Sequence, residues 1–589
     1  MREMKPPAAI PRVRAAVHVG LACLVVVGAV GSAHSQSPPA GTPTAAQVDR
    51  IFARVDKTDS PGCALAVIRN GSIVYARGYG MADLDHNIRI TPSTVFHAAS
   101  LAKQFTAMAI MLLVKQGRLA LDDDVRTHVP ELPDLGARVT IGHLLHHTSG
   151  LRDQWVLVTM AGWRLSDDVV TRQDVLGLVS RMHALNFRPG DQYLYTNTGF
   201  TLAAAIVEKV SRQSLQDFAQ ANIFQPLGMS RTVFRETHGL VVRDHAYGYR
   251  AVGSGPRFEV RMPNYDLVGP TNLLTTVEDL ARWDRNFDDK TVGGGAVLAL
   301  MQTPGTLNNG DSIPYGLGLM PGEYRGLRVV EHDGRDAGYR SHLIRFPSLR
   351  FSVACLCNLA LPDDALPRDL VRRVADLYLA AQFPPALPGM DPPGNAFPPP
   401  TRQERAAKVG AYWNPLTETL AQVSVARGAL QLCLASDCAP LGSLDQNRFR
   451  WDGGPQLGVV EFAPPAGGAA GRLTFRGEGQ RVMTFDAKPP AATPPANLAE
   501  YAGRYYSPEL DTAYDISLRT PSLLITRQKY PATVLEPAFR DGFTISNFSV
   551  VLPFGTVSFT RDAQGRITGF LIGGDRIRSF RFDRVRPGS

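Results

Sequence analysis

Pro384, Pro385, Pro388, Pro392, Pro393, Pro398, Pro399 and Pro400 crowd one short stretch of this 589-residue chain. Proline offers no backbone N–H and locks φ at about −65°, so neither a helix interior nor a central strand can run through it. The stretch predicts an extended, semi-rigid linker over 384–403. Beyond it the chain repeats itself at an offset of 93 residues. Gly410-Ala411-Tyr412-Trp413-Asn414-Pro415 matches Gly503-Arg504-Tyr505-Tyr506-Ser507-Pro508, and Val423, Val425, Leu430 and Leu432 meet Ile516, Leu518, Leu523 and Ile525. The alternation within each copy is that of strands, and the copies are short enough for small antiparallel barrels. The expected units are 1–35, 36–383, the linker, a barrel over 404–488, a second linker over 489–497, and a barrel over 498–589.

The long unit before the prolines carries the chemistry. Leu101, Phe105, Met108 and Leu112 are spaced by three and four, one face of a helix, and Ser100 opens it. Lys103 then lies one turn along from Ser100, close enough to take the hydroxyl proton. Free N–H groups at the helix start face any negative charge that develops there. Arg188-Pro189-Gly190 is a turn leading into Tyr193-Leu194-Tyr195-Thr196-Asn197, where Tyr195 offers a phenol for proton transfer and Asn197 an amide to hold a substrate carbonyl. Strands are expected at 327–332, 339–346 and 351–358. The first ends in His332-Asp333-Gly334, where a glycine on a strand edge permits close backbone approach.

In the order Ser-x-x-Lys, Tyr-x-Asn, His-x-Gly, these residues resemble the three active-site motifs of serine β-lactamases and penicillin-binding proteins. Leu144 to Leu151, Pro226-Leu227-Gly228-Met229 and Tyr315-Gly316-Leu317-Gly318 extend the resemblance over roughly residues 45 to 383. The two repeats behind the domain look most like the bacterial D-aminopeptidases. The resemblance implies an α/β catalytic domain, an antiparallel sheet flanked by helices plus a helical lobe in residues 151–310, followed by two small antiparallel β-barrels. It also implies an acyl-enzyme on Ser100. Lys103 and Tyr195 share the base and acid roles, in an order the sequence leaves open, and Asn197 orients the scissile group. The backbone N–H groups of Ser100 and Arg335 form the oxyanion hole, with His332 and Gly334 on the bordering strand. A charged Lys103 and a protonated His332 would each lower the cost of a tyrosinate at Tyr195. No cofactor is expected. Candidate substrates are small molecules or peptides, peptidoglycan-derived ones among them. An esterase, or a penicillin-binding receptor that acylates without turnover, are the alternatives. In D-aminopeptidases a long loop of the last barrel recognises the substrate amine, whereas here only a short turn separates Ile525 from Val534.

Composition bounds the rest. Hydrophobic residues make up 44% and charged residues 20%, ordinary for a globular chain. The net charge of +8 includes Arg2, Lys5, Arg12 and Arg14 near the start, without a basic block, so nucleic-acid binding is not expected. No Gly-x-Ser-x-Gly elbow of an α/β-hydrolase occurs. His143, His146 and His147 lack the glutamate of a His-Glu-x-x-His zinc site, so no metal is expected, and Leu121-Asp122-Asp123-Asp124 reads as a solvated helix start.

Arg12 and Arg14 precede an apolar run from Ala15 to Val30 and the small residues Ala33-His34-Ser35, a signal peptide over 1–35 that predicts export and no membrane span in the mature chain. Five cysteines follow. Cys433 and Cys438 bracket a turn and are expected to form a disulfide, while Cys355 and Cys357 alternate along one strand and are expected as buried thiols.

Overall fold

The computed structural model describes residues 43–253, 257–361, 367–384, 399–434, 437–451, 458–463, 471–477, 482–488, 497–549, 552, 554–574 and 576–586. The expected signal peptide, most of the proline linker and most of the second linker lie outside these residues.

The central sheet is antiparallel throughout, in the order Met320–Tyr324, Leu327–Asp336, Tyr339–Phe346, Phe351–Cys357, Cys63–Arg69, Ser72–Tyr79. Both ends of the domain contribute to it, as the strand pattern predicts. Cys63–Arg69 shows why two layers form. Cys63, Leu65 and Val67 pack with Val48 and Phe52 of helix Ala45–Phe52 and with Leu370, Val371 and Val374 of helix Arg368–Leu379. Ala64, Ala66 and Ile68 point to the opposite face, toward the core of the nucleophile helix Ala102–Lys115 and of helix Val277–Asp289. Small residues on that face let the second layer approach closely.

One expectation fails. Cys63 lies directly opposite Cys357 in the antiparallel register and is disulfide-bonded to it, so among the described residues only Cys355 remains a thiol, buried beside the bond. Alternation along one strand shows that Cys355 and Cys357 share a face. It cannot show the cross-strand partner, which comes from 294 residues away. Cys433 and Cys438 are bonded as expected, across the hairpin.

Both repeats are closed eight-stranded barrels, from Gly410–Asn414 to Met483–Lys488 and from Gly503–Ser507 to Ile577–Arg584. The sequence offset persists in the pairing: Gly410 faces Val423 and Gly503 faces Ile516. Their packing differs. The first barrel encloses its own core around Leu432, Phe449, Phe475 and Phe485. The core of the second is continuous with the helical lobe, where Tyr514 donates to the carbonyl of Met160 at 2.7 Å and Arg527 to that of Thr159 at 2.9 Å.

Candidate active site

Three segments converge on Ser100. The first is its own turn. Ala99–Leu101 is a tight single turn that runs into helix Ala102–Lys115, so Ser100 stands just ahead of the α-helix. Ala99 before it has φ +49°, a left-handed conformation costly for a residue with a Cβ, and its N–H donates to Nδ1 of buried His97 at 3.1 Å. The turn is held from outside too, by Ser341 Oγ donating to the carbonyl of Ala98 at 2.7 Å.

Lys103 is fully buried, and its Nζ donates to Ser100 Oγ at 3.1 Å, Asn197 Oδ1 at 3.0 Å and the carbonyl of Pro270 at 2.8 Å. Burial pushes the Lys103 ammonium well below its ordinary pKa, and the nearby Arg576 pushes the same way, against Asp153, Asp336 and Asp333.

The second segment is the loop before helix Thr198–Ser211. Leu194 donates to the carbonyl of His147 at 2.9 Å and Thr196 to His147 Nδ1 at 3.2 Å, while the His147 ring packs on Tyr195 with centroids 4.2 Å apart. This fixes Tyr195 so that its ring lies 4.8 Å from Lys103 Nζ, which in turn reaches Ser100 Oγ. Burial raises the Tyr195 pKa well above that of a free phenol, although Ser100 and Arg576 work to lower it.

The third segment is strand Leu327–Asp336. Its pairing with Met320–Tyr324 ends at Glu331, so from His332 onward one side of the strand is open. Gly334 sits there for a reason other than substrate approach alone. A Cβ at Gly334 would stand 2.6 Å from the carbonyl oxygen of Ala98 and 2.9 Å from Ala99 Cβ, so only glycine lets the strand meet the nucleophile turn. Arg335 follows, exposed on the same open edge.

His332 corrects an expectation. It is buried, with Nδ1 2.6 Å from the carbonyl of Asp333 and Nε2 2.9 Å from the Tyr315 hydroxyl. Burial lowers its pKa to about 4, with Asp333 opposing and Lys103 assisting. At neutral pH His332 is uncharged and gives no electrostatic help to a tyrosinate. Burial favours loss of a proton from Lys103; the three bonds that Nζ donates are those of the ammonium, and the one to Ser100 Oγ is the bond that reverses when the amine is neutral.

Several site residues carry no sequence signal. Asp153, fully buried, accepts from the backbone N–H of Asn197 at 2.7 Å and from its Nδ2 at 2.9 Å. The carbonyl of Pro270 joins from a distant loop, as does Tyr315, whose motif the sequence shows without its contact to His332. The three histidines near the turn are each spent structurally: His143 caps its own helix at Thr140, His146 meets the carbonyl of Tyr315, and His147 braces Tyr195. Asp123 and Asp124 likewise cap backbone N–H groups, at Ala120 and Arg126. Among the described residues, the one cluster with metal-ligand geometry is Cys63, Cys355 and Cys357, two of which are disulfide-bonded.

Residues 48–376 match the Beta-lactamase family. The chain belongs to the Beta-lactamase family of serine hydrolases. Within that family it is similar to the D-aminopeptidase of Gluconobacter oxydans, at 28% identity over 455 residues, which cover 77% of this chain and 81% of the relative. It is similar as well to penicillin-binding protein 4* of Bacillus subtilis, at 33% identity over 51% of this chain and 69% of the relative. Among solved structures, the octameric penicillin-binding protein homologue from Pyrococcus abyssi shares the fold, with a TM-score of 0.52 at 23% identity over 75% of this chain and 98% of that one. No described helix of this family member is long and apolar enough to cross a membrane.

Proposed function

We propose that the protein is an exported serine peptidase or amidase that cleaves D-amino-acid-containing peptides, peptidoglycan-derived ones among them, through an acyl-enzyme on Ser100. The observation that carries this reading is the buried Lys103 amine 3.1 Å from Ser100 Oγ. Lys103 takes the hydroxyl proton as Oγ attacks the carbonyl. The oxyanion forms between the backbone N–H groups of Ser100 and Arg335. Tyr195 gives its own phenolic proton to the leaving nitrogen and is reprotonated by the Lys103 ammonium, which restores both groups, and Asn197 orients the scissile group. Water then attacks the ester by the same steps in reverse order. The D-aminopeptidase similarity, which runs well past the residues of the family match, supports the substrate class. Two disulfides suit an oxidising compartment and so support export. The same reading divides the chain into a catalytic domain over 36–383 and barrels over 404–488 and 498–589.

The test is a fluorophosphonate label followed by a substrate panel. Mass spectrometry is expected to find the adduct on Ser100, and Ser100→Ala to abolish both label and turnover. An adduct on another serine overturns the mechanism. Among D-Ala p-nitroanilide, a D-Ala-D-Ala peptide, p-nitrophenyl butyrate and nitrocefin, the amides are expected to be the better substrates. Preference for the butyrate would make the enzyme an esterase, and a stable nitrocefin adduct would make it a penicillin-binding receptor.

A further inference from the structure

The second barrel reaches the catalytic site through the turn between its last two strands, Ile567–Gly574 and Ile577–Arg584. The carbonyl of Arg576 accepts from the backbone N–H of Asp153 at 3.4 Å and from Asn186 Nδ2 at 3.3 Å. Two residues on, the N–H of Arg578 donates to Asn186 Oδ1 at 3.0 Å, and its guanidinium to Gln192 Oε1 at 2.8 Å. The turn is therefore fastened by its backbone and by Arg578. That fastening carries the Arg576 side chain into the cleft, with the guanidinium carbon 5.1 Å from the centroid of the Tyr195 ring and Nη1 4.0 Å from Asp153 Oδ2. The same ring lies 4.8 Å from Lys103 Nζ, which is 3.1 Å from Ser100 Oγ, so a substrate on the nucleophile lies close to this cation.

The carboxylates around the site are each held by partners within the protein. Asp153 is fully buried, and its Oδ2 already accepts two N–H groups of Asn197. Asp333 pairs with Arg368 at 3.1 Å. Asp336 accepts from Thr271 at 2.7 Å and from the Tyr265 hydroxyl. Arg576 keeps 32% of its side chain exposed, against 24% for Asp333 and 21% for Asp336.

We propose that Arg576 is a specificity-determining residue supplied by the second barrel, and that it selects substrates bearing a carboxylate near the scissile carbonyl. The planar guanidinium fork matches the two oxygens of a carboxylate. The assignment deepens the serine-hydrolase reading and rests on it: it makes the preferred D-peptide one with a free acid beside the bond to be cut.

Binding to the full-length Ser100→Ala protein tests it without requiring turnover. Calorimetry with N-acetyl-D-alanyl-D-alanine and with its C-terminal amide is expected to give at least about tenfold tighter binding of the acid. Arg576→Gln should erase that difference and Arg576→Lys should retain most of it, while the backbone anchors keep the turn in place. Equal affinities for acid and amide, tighter binding of the cationic D-alaninamide than of the acid, or an acid preference that survives in Arg576→Gln would each overturn the proposal. Failure of the underlying reading shows separately, as absence of fluorophosphonate label on Ser100 of the wild-type protein.

Discussion

One carboxylate oxygen of Asp153 accepts both N–H groups of Asn197, the backbone one at 2.7 Å and the side-chain one at 2.9 Å. The bond to Nδ2 settles which way the amide points. Its oxygen must then face Lys103 Nζ, 3.0 Å away. Asp153 is thus a positioning residue that acts through Asn197. In Asp153→Asn the new amide can donate as well as accept, and Asn197 loses its fixed polarity. The rate of fluorophosphonate labelling is expected to fall about 10- to 100-fold, the worth of one hydrogen bond to a charged group, with little change in thermal stability. A variant that labels at the wild-type rate would show that Asn197 holds its orientation without Asp153.

The pH dependence of activity should follow Lys103. Because burial depresses its pKa, kcat/KM is expected to rise along one acidic limb that lies below the ordinary lysine range. His332 titrates near pH 4 and stays neutral through that limb. In His332→Lys a fixed cation sits close to Lys103 and disfavours its protonated form. That lowers the Lys103 pKa further, so the limb should move to lower pH by about half a unit to one unit. A limb that stays put or moves up in this variant would remove Lys103 as its source.

Much of the site is legible in the sequence because it is local. Ser100 and Lys103 share a helix face by spacing alone, Tyr195 and Asn197 follow a Pro-Gly turn, and Gly334 ends a run of alternating residues. What the sequence hides is long-range. Asp153 meets Asn197 from 44 residues away, the carbonyl of Pro270 meets Lys103 from 167, and no spacing rule links such pairs. The charge of His332 is hidden for a related reason: its burial depends on Tyr315 and on the neighbouring strands. The barrels show the same division. Their alternation reveals two small antiparallel barrels, yet Tyr514 and Phe580 look like ordinary barrel residues and only the packed structure joins them to the lobe's core.

Acid should loosen this fold through its buried histidines. His97, His147, His245 and His332 are all held below the usual histidine pKa, chiefly by burial, with His245 near 3 and His332 near 4. In the unfolded chain each binds a proton at about pH 6.5. Between that pH and the folded value the unfolded state holds more protons, so stability falls as pH falls. His332 alone should contribute a loss of about 3 kcal/mol by pH 4. Asp284, raised to about 6 by burial, and Asp336, also raised, work in the opposite direction. Thermal melts at constant ionic strength are expected to drop steadily from pH 6.5 to pH 4. A flat melting temperature across that window would mean that these rings charge without unfolding.

The second barrel should prove inseparable from the catalytic domain. Arg152 of the lobe is almost wholly buried, with its guanidinium paired to Glu509 of the barrel and 4.5 Å from the centre of the Phe580 ring. Around this pair, Tyr514, Arg527 and Tyr530 donate to the carbonyls of Met160, Thr159 and Trp163. A chain ended near Pro400 loses every one of these partners and uncovers the apolar surface beneath them. Such a chain is expected to aggregate or to bind hydrophobic dyes, and to lose the label on Ser100. A point substitution isolates the same interface. Glu509→Ala leaves a buried cation unpaired, which should cost about 3 to 5 kcal/mol in denaturant unfolding, whereas Arg152→Leu combined with Glu509→Leu should recover most of that loss by removing both charges. If the truncated protein melts as the full-length chain does and keeps its reactive Ser100, the barrel is an attachment to a self-sufficient domain.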